Sequence, residues 1–418
     1  AANARKRLAF DELLILQLGM LTMKNHSREK TAYIMDKNTD MTAFFGSLPF
    51  EMTDAQKKSI SDVINDMSTD SPMNRLLQGD VGSGKTAVAA AACYFACQNG
   101  FQSALMAPTE ILAVQHYNTL KSFLEPIGVN VVLLTGSMTA KQKRIAKEAL
   151  KSGEAAVAAG THAIIQKDVE FQRLGLVITD EQHRFGVAQR AALADKGNSP
   201  HRLVMSATPI PRTLALIIYG DLDISIINQM PKGRLPVKTY AVTGKLRKRA
   251  YNFIKSEIDN GRQAYIVCPM IEDSDSDLQA VKSYADKLRI DDFADYEIGL
   301  LHGKMKAAEK NEIMSKFKDG KIDLLVCTTV VEVGVDVPNA SIMLIENAER
   351  FGLSQLHQLR GRVGRGSQQS HCILLTDNTG EECIRRMKIM SKTSDGFKIS
   401  EEAVSYTHLR AHETVLDL

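Results

Sequence analysis

The stretch GDVGSGKT at residues 79–86 fits the pattern G-x-x-x-x-G-K-[ST] of a phosphate-binding loop. A short apolar segment precedes it at residues 75–78, and an Ala-rich segment typical of a helix follows it. A strand that enters such a glycine loop and leaves it as a helix is the setting in which this pattern binds nucleotide phosphates. A purely structural glycine turn is the alternative, and the flanking strand and helix disfavour it. The stretch therefore predicts a nucleotide-binding domain.

The residue types in this loop match the chemistry of phosphate binding. Gly79, Gly82 and Gly84 let backbone N–H groups close around phosphate oxygens at the start of a helix. Lys85 is expected to neutralise charge on the β- and γ-phosphates, and Thr86 to ligate Mg²⁺. ATP and Mg²⁺ are the predicted cofactors.

From Pro49 onwards, short apolar segments alternate with longer helical ones. This alternation predicts an α/β fold in which mostly parallel sheets are covered by helices. A stretch punctuated by Pro and Gly at residues 230–236 interrupts it and predicts a short hinge between two lobes. The predicted strands are Arg75–Gln78, Ser103–Ala107, Val129–Leu134, Ala155–Ala159, Leu174–Thr179, Arg202–Ser206, Ala264–Cys268, Tyr296–Leu301, Leu324–Cys327, Ser341–Ile345 and His371–Leu375.

The sequence predicts a domain organisation in four parts. Residues 1–47 contain an N-terminal linker helix, residues 48–230 the ATP-binding first lobe, residues 231–402 the second lobe, and residues 403–418 a tail. The N-terminal helix carries leucines on or near one face, at Leu8, Leu13, Leu14, Leu16 and Leu18.

The composition is that of an ordinary globular protein, with 44% hydrophobic and 24% charged residues. A net charge of +3 is too small to indicate nucleic-acid binding by itself. The six cysteines include no CxxC pair, so reduced core thiols are expected rather than metal ligands. The longest apolar run, Ala87–Cys97, is shorter than the roughly 18 residues that cross a membrane. With no signal peptide, a cytoplasmic protein without membrane attachment is predicted.

A second acidic element is needed beside a phosphate loop, and the sequence offers one. The apolar segment Leu174–Thr179 runs into Asp180-Glu181-Gln182-His183. This puts two carboxylates at the carboxyl end of a strand, where parallel sheets build their sites. Asp180 is expected to hold Mg²⁺ through the water shell of the metal, and Glu181 to orient and deprotonate the attacking water. An acidic helix cap is the alternative, which the upstream phosphate loop disfavours.

Other elements carry weaker signals. Gln56 lies ahead of the phosphate loop, and Ser206-Ala207-Thr208 ends the next predicted strand. The second lobe contains the run QLRGRVGRG at residues 358–366, in which three arginines are interleaved with glycines. Such guanidinium groups suit contact with phosphates, and an arginine held by the opposite lobe stabilises transition-state charge only when the lobes meet. Taken alone, the run is equally compatible with an RNA-binding or surface turn.

In combination, these residues resemble the motifs of superfamily-two helicases, most closely the bacterial RecG branch, over roughly residues 5–402. The segment 50–56 resembles the Q motif. The phosphate loop, Asp180–His183, Ser206–Thr208 and the arginine run resemble motifs I, II, III and VI. Residues 107–110 with Gln115 resemble motif Ia, residues 160–162 motif Ib, and residues 328–338 motif V. The longer strings EQHRFGV at 181–187, MPKGR at 230–234 and RLAFDELL at 7–14 resemble the RecG branch specifically.

The resemblance implies two RecA-like lobes and an ATP-dependent DNA helicase or translocase that acts as a monomer on duplex and branched DNA in repair and recombination. It implies that Gln56 contacts adenine and that Gly334 and Asp336 approach the nucleotide from the second lobe. It assigns hydrolysis to Lys85, Thr86, Asp180, Glu181, Arg362 and Arg365, coupling of the two sites to Ser206 and Thr208, and backbone contacts with DNA, without sequence preference, to Thr109, Gln115, Thr161, His302, Gly303 and Thr329.

Two departures from the family pattern stand at the ends of the sequence. The family carries an N-terminal oligonucleotide-binding wedge domain, and this sequence begins after it. From Ala403 onwards the sequence matches nothing in the family, so a truncated or chimeric end is expected. An RNA-directed helicase and the related motor of a transcription-repair coupling factor are the alternatives, and a non-catalytic binding module is disfavoured because Lys85, Glu181 and Arg365 are all present.

Overall fold

The computed structural model describes residues 33–181, 195–207, 222–231, 234–269, 275–328, 337–366 and 368–403, with scattered residues between 7 and 22 and between 185 and 193. The chain divides into two compact units, Ala1–Pro231 and Lys232–Leu418. The division falls inside the stretch that the sequence marks as a hinge.

The first unit is built on a parallel sheet, which among the described residues has seven strands in the order β3-β4-β2-β5-β6-β1-β7. All of its neighbouring strands pair in parallel, as the sequence predicts. The central strands are buried along nearly their whole length, because helices cover the sheet. The strands are β1 (Asn74–Gly79), β2 (Gln102–Met106), β3 (Val131–Leu134), β4 (Val157–Gly160), β5 (Leu174–Asp180), β6 (His201–Ser206) and β7 (Asp223–Ile227).

The described helices of the first unit pack against this sheet or against one another. They are α1 (Thr42–Ser47), α2 (Asp54–Met67), α3 (Lys85–Gln98), α4 (Glu110–Leu124) and α5 (Ala140–Ser152). Residues 87–96 of α3 are buried on every side, and most of them are alanines. Small side chains let this helix lie close to its neighbours, so the element that follows the phosphate loop is held inside the core.

The second unit repeats the design with a sheet whose described part has six strands in the order β10-β11-β9-β12-β13-β8, again with parallel pairs throughout. The strands are β8 (Lys238–Val242), β9 (Gln263–Val267), β10 (Ile298–Leu301), β11 (Leu324–Cys327), β12 (Ala340–Ile345) and β13 (His371–Leu375). The helices are α6 (Arg247–Asp259), α7 (Asp275–Lys287), α8 (Ala307–Lys318), α9 (Leu353–Arg360) and α10 (Glu381–Lys392). Both units are RecA-like lobes, so the predicted fold class is confirmed.

The structure differs from the sequence prediction by two additional edge strands and by later starts of three strands. β7 and β8 are not predicted, because neither has a run of buried side chains: β7 buries only Ser225 and Ile227, and β8 has no fully buried side chain. β10 begins two residues later than predicted, at Ile298, and so do β3 and β4, at Val131 and Val157. The residues before them, Val129 and Ala155, are buried in the preceding loops rather than in the sheet.

The leucine-bearing N-terminal segment is helical where it is described, and the cysteines carry free thiols. Every described residue between 7 and 22 is helical. Leu8, Leu14 and Leu18 on that helix are exposed. All the cysteines are free thiols, buried except for the half-buried Cys97. Among the described helices, none is long and apolar enough to cross a membrane.

Candidate active site

The carboxyl ends of three adjacent strands bring the main motifs of the first unit together. β6 lies between β5 and β1, with Met205 opposite Asp180 and Ser206 opposite Gln78. The phosphate loop, the Ser206-Ala207 segment and the Asp180-Glu181 pair therefore leave the sheet at one edge. A parallel sheet offers its ligand site at this edge.

The phosphate loop has the backbone shape that its glycines allow. Gly82 and Gly84 have φ angles of 74° and 88°, in the left-handed region. Helix α3 begins directly after Gly84, so the positive end of its dipole faces the loop. The Lys85 Nζ lies 2.7 Å from the carbonyl oxygen of Gly79 and 2.9 Å from that of Asp80. The half-buried Thr86 follows in the first turn of the helix.

Gln56 is buried with 1% of its surface exposed, and it braces the phosphate loop. Its Nε2 donates to the carbonyl of Ser83 across 2.8 Å, while its Oε1 accepts from the backbone N–H of Thr53 across 2.9 Å. The second bond belongs to a capping box at the start of α2. A Cβ at Gly84 would lie 2.2 Å from the same Nε2, so the brace also requires glycine there.

Asp180 ends β5 and is held by a residue that the sequence analysis did not single out. Its Oδ2 lies 2.8 Å from Nε2 of His116 on helix α4, and both residues are buried. Burial raises the pKa of the Asp180 carboxyl, but the hydrogen bond and charge of His116 and the ammonium of Lys85 outweigh it, so the pKa lies below its usual value. The carboxyl is therefore ionised, as a Mg²⁺ ligand must be.

A signal for His116 is present in the sequence. The buried positions of α4 follow one stripe, with Ala113, His116 and Leu120 at helical spacing. A histidine inside an apolar stripe is buried and needs a hydrogen-bond partner. The partner itself is set by the sheet order, which places β5 beside β2.

Glu181 has an unusual backbone conformation for a residue other than glycine, with φ at 51°. Its Oε1 accepts from the backbone N–H of Ala207 across 3.3 Å, and its own N–H donates to the carbonyl of Met205 across 3.0 Å. The second acidic residue is thus tied to the strand that carries Ser206, which is itself buried. The predicted His183 and Thr208 lie outside the described residues.

The predicted DNA residues of the first unit lie along the same edge, at the ends of β2 and β4 and on α4. Thr109 caps α4, and its hydroxyl accepts from the N–H of Leu112 across 3.4 Å. Thr161 follows β4 and is 3% exposed. In the described part of the chain, Gln115 Oε1 and Thr161 Oγ1 are buried without a hydrogen-bond partner.

In the second unit, His302 and Gly303 leave the carboxyl end of β10 beside the end of β11. His302 is buried, and its Nδ1 lacks a hydrogen-bond partner within the described ranges. Burial, with the charges of Lys282 and Lys310, lowers the pKa of His302. The Nζ of Lys310 donates to the carbonyl of Gly303 across 2.5 Å. Thr329, Gly334 and Asp336 lie outside the described residues.

The three arginines of the run at residues 358–366 are not equivalent. Arg360 is 3% exposed, and its Nη1 donates to the carbonyls of Met390 and Thr393 at 2.9 and 2.8 Å. It joins α9 to the end of α10, and it is not one of the two arginines that the resemblance assigns to hydrolysis. Arg362 and Arg365 are half-buried. They lie in the turn after α9, where Arg365 Nε is 3.5 Å from the carbonyl of Gly361.

Comparison with known proteins gives the same division of the chain. The DEAD/DEAH box helicase family matches residues 53–217, and the helicase conserved C-terminal domain matches residues 246–367. The chain is 50% identical over 402 residues to the ATP-dependent DNA helicase RecG of Bacillus subtilis, which covers 96% of this chain and 59% of that protein. The corresponding RecG of Synechocystis is 49% identical, covering 95% of this chain and 48% of the relative. The chain thus spans about half the length of the curated relatives it matches.

Solved structures agree. A RecG structure bound to a three-way DNA junction superposes with a TM-score of 0.81 at 44% identity, covering 96% of this chain and 53% of that one. The yeast Dbp5 structure, at 16% identity and a TM-score of 0.59 over 83% of this chain and 93% of that one, shares the fold. Its sequence relatives, its two helicase domains and its fold agree: the chain carries both helicase domains and is similar over nearly its whole length to part of the RecG helicases.

Proposed function

We propose that this chain is an ATP-driven motor that translocates on double-stranded and branched DNA. The observation that carries the proposal is the meeting of the phosphate loop, Ser206 and the Asp180-Glu181 pair at three adjacent strand ends. The residues proposed to bind the nucleotide, to hydrolyse it and to link the strands therefore lie along one edge of the sheet. The relatives named as ATP-dependent DNA helicases support the choice of reaction and of DNA.

The phosphate loop, with Gln56 as its brace, is proposed to bind the nucleotide. Backbone amides around Gly79, Gly82 and Gly84 receive the phosphates, and Lys85 moves from the loop carbonyls to the β- and γ-phosphates. Gln56 keeps the loop in shape through Ser83, and the sequence resemblance adds a contact with adenine.

Hydrolysis needs a metal and a base. Thr86 and the ionised Asp180 have the oxygen donors that Mg²⁺ prefers. Mg²⁺, when bound, neutralises the charge that develops on the transferred phosphate. No cluster of three or more His, Cys, Asp or Glu suited to a metal occurs in the described ranges, which agrees with a metal that is held largely by nucleotide phosphates and water. Glu181 then acts as the base that deprotonates the attacking water.

Communication between the ATP site and the DNA site is assigned to the segment at the end of β6. The hydrogen bond from the Ala207 N–H to Glu181 makes the orientation of the Glu181 carboxylate depend on the Ser206–Thr208 segment. From the second unit, Arg362 and Arg365 are proposed to stabilise transition-state charge, and Gly334 and Asp336 to approach the nucleotide.

DNA binding is assigned to the polar residues at the ends of β2, β4, β10 and β11. Thr161, Gln115 and His302 each have a buried polar atom that lacks a partner in the described part of the chain, and phosphate oxygens or sugar hydroxyls would satisfy these atoms. Such contacts recognise the backbone and not the base sequence. Thr109, Gly303 and Thr329 complete the proposed set, and the motor is proposed to act as a monomer.

The test compares ATP hydrolysis by this chain alone, with blunt duplex DNA, with a three-way DNA junction and with single-stranded RNA. The proposal expects hydrolysis that requires Lys85 and is stimulated most by DNA. Strongest stimulation by RNA would favour an RNA-directed helicase. Nucleotide binding without any hydrolysis would instead identify a binding module.

A further inference from the structure

The contact between His116 and Asp180 joins two motifs whose functions differ. His116 lies on α4, the helix that begins at Thr109 and carries Gln115, both proposed to contact DNA. Asp180 ends β5 and is proposed to hold Mg²⁺. The two side chains meet at 2.8 Å between Nε2 and Oδ2, with 7% and 8% of the residue surfaces exposed.

The chemistry of the pair fixes where the hydrogen lies. An ionised carboxylate can only accept a hydrogen bond, so Nε2 of His116 carries the hydrogen and donates it. A hydrogen bond between buried groups in a low-dielectric setting is strong and directional. The imidazole therefore sets the rotation of the Asp180 carboxylate about its side-chain bonds.

Helix α4 is anchored at its first turn as well. Glu110 Oε1 accepts from the N–H of Ser137 across 2.8 Å, and Thr109 caps the helix. Gln115 and His116 are consecutive on this helix, so a displacement that a DNA backbone imposes on Gln115 also moves His116. Met106, which ends β2 four residues before this helix, lies opposite Thr179, the residue before Asp180.

We infer that His116 is a positioning residue, which orients the Asp180 carboxylate for Mg²⁺ and makes that orientation depend on DNA held by α4. The inference rests on the proposed function of the site. Ligating carboxylates are themselves oriented by hydrogen bonds, and loss of such a partner typically lowers metal affinity or activity about 10- to 100-fold.

The test uses two amides of different length. In His116→Gln, the side-chain nitrogen reaches the place of Nε2 and can donate to Asp180. In His116→Asn, an equally polar side chain stops short of it. Asn118→Ala on the exposed face of the same helix is the matched control. Thermal unfolding of each variant verifies that it is folded.

The first readout is the Mg²⁺ concentration that half-saturates binding of a fluorescent ATP analogue, measured without hydrolysis and compared with binding in EDTA. We expect His116→Asn to need about 10-fold more Mg²⁺, with binding in EDTA unchanged, and His116→Gln to stay within about 3-fold of the wild type, since it keeps the donor that orients the ligand. Equal Mg²⁺ dependence in the wild type and His116→Asn, or equal weakening in both variants, would overturn the positioning role.

The second readout is the ratio of ATP hydrolysis with and without duplex DNA at saturating Mg²⁺. We expect this ratio to fall in His116→Asn and to be retained in His116→Gln and Asn118→Ala. A full ratio in His116→Asn would overturn the dependence on DNA. If the wild-type chain bound no nucleotide, the proposed function itself would fail. If the wild type bound nucleotide and was stimulated by DNA, but the His116 variants behaved like it, only this inference would be refuted.

Discussion

The side-chain amide of Gln56 donates to the backbone carbonyl of Ser83 across 2.8 Å, and its oxygen caps helix α2 through Thr53. One buried carboxamide therefore holds both a helix start and the phosphate loop. Gln56→Ala leaves the buried carbonyl of Ser83 and the half-buried N–H of Thr53 without these partners. We expect the free energy of unfolding to fall by about 1–3 kcal/mol and ATP binding to weaken, because the loop loses its brace.

Gln142 provides a matched control. It occupies the same position in a second capping box, with Thr139 at the start of α5, but it is exposed and remote from the loop. Gln142→Ala should cost about 0.5–1 kcal/mol of stability and leave ATP binding unchanged. Urea unfolding and nucleotide titration measure both quantities, and equal loss of binding in the two variants would contradict the brace.

The second prediction concerns Gly84. Gly84→Ala combines a left-handed backbone, with φ at 88°, and a Cβ that would lie 2.2 Å from Nε2 of Gln56. Gly128 has a similar φ of 81° and no atom within 4 Å of its Cβ position, so Gly128→Ala tests the backbone strain alone, about 1–2 kcal/mol. We expect Gly84→Ala to lose more stability than this, by urea unfolding.

The double variant Gln56→Ala/Gly84→Ala separates the two causes. With the amide removed, the added methyl group no longer meets it, so the cost of Gly84→Ala in that background should fall to that of Gly128→Ala. A cost that stays the same in both backgrounds would show that the contact with Gln56 contributes nothing.

The sequence predicts most of the fold, because buried strands and the phosphate loop have strong local patterns. Leu324–Cys327 and His371–Leu375 are found at their predicted bounds. The strands β7 and β8 escape prediction because neither has a continuous run of buried apolar side chains, although the edge strands β3 and β10 have enough buried apolar residues to be predicted.

The site is predictable to the extent that its chemistry is local. The strand-loop-helix pattern locates Lys85 and the strand end locates Asp180, whereas the partners of these residues come from distant parts of the sequence. Asp180 and His116 are 64 residues apart, and Gln56 and Ser83 are 27 apart. Arg360 has a local pattern that does not reveal its role. Its position in a run of glycines and arginines gives no sign that its guanidinium is bound to the carbonyls of Met390 and Thr393.

The third prediction tests the proposed base. Glu181→Gln keeps the size of the side chain and an oxygen that can accept from the Ala207 N–H, but it cannot take a proton from water. We expect ATP binding to be retained and steady-state hydrolysis to fall by a factor on the order of 10²–10⁴. The exposed Glu148, which pairs with Arg144 on α5, supplies the control variant Glu148→Gln. Undiminished turnover in Glu181→Gln would remove the base assignment.

The fourth prediction is a pH dependence of stability. His201 at the start of β6 is fully buried, its Nδ1 accepts from the N–H of Met73 across 3.0 Å, and its Nε2 donates to the carbonyl of Tyr33 across 2.8 Å. Burial lowers the pKa of His201 below its usual value, with the bond to Tyr33 opposing the shift in part. The folded state therefore keeps the imidazole neutral at a pH where the unfolded chain binds a proton.

Stability should fall as the pH drops below about 6.5, the usual histidine value, until the lower folded-state pKa is reached. The loss is about 1.4 kcal/mol for each unit by which the folded-state pKa is lowered. His201→Gln cannot titrate, so its stability relative to the wild type should improve as the pH falls from 7.5 to 5. Urea unfolding at several pH values measures this difference, and a difference that is constant with pH would show that His201 does not contribute.

The last prediction separates the arginines of the second unit. Arg360→Ala removes a buried guanidinium that serves two carbonyls and Nδ1 of His357, so we expect the free energy of unfolding to fall by about 3 kcal/mol. Arg365→Ala removes a half-buried side chain whose Nε lies 3.5 Å from the carbonyl of Gly361. Because this side chain is less buried than that of Arg360, we expect a smaller loss of stability than in Arg360→Ala, and a fall in DNA-stimulated hydrolysis on the order of 10³-fold, if Arg365 stabilises transition-state charge.

Arg360→Lys sharpens the comparison, because a single ammonium cannot reproduce the planar fork that reaches Met390, Thr393 and His357 together. It should recover only part of the stability lost in Arg360→Ala, whereas Arg365→Lys should keep stability and still hydrolyse slowly. Unfolding curves and ATPase rates on the same four proteins distinguish the roles. The assignment would be reversed if Arg360→Ala were fully stable but slow in hydrolysis. It would also be reversed if Arg365→Ala were unstable and kept normal turnover after correction for the folded fraction. Arg360 would then be the catalytic arginine of this run, and Arg365 the structural one.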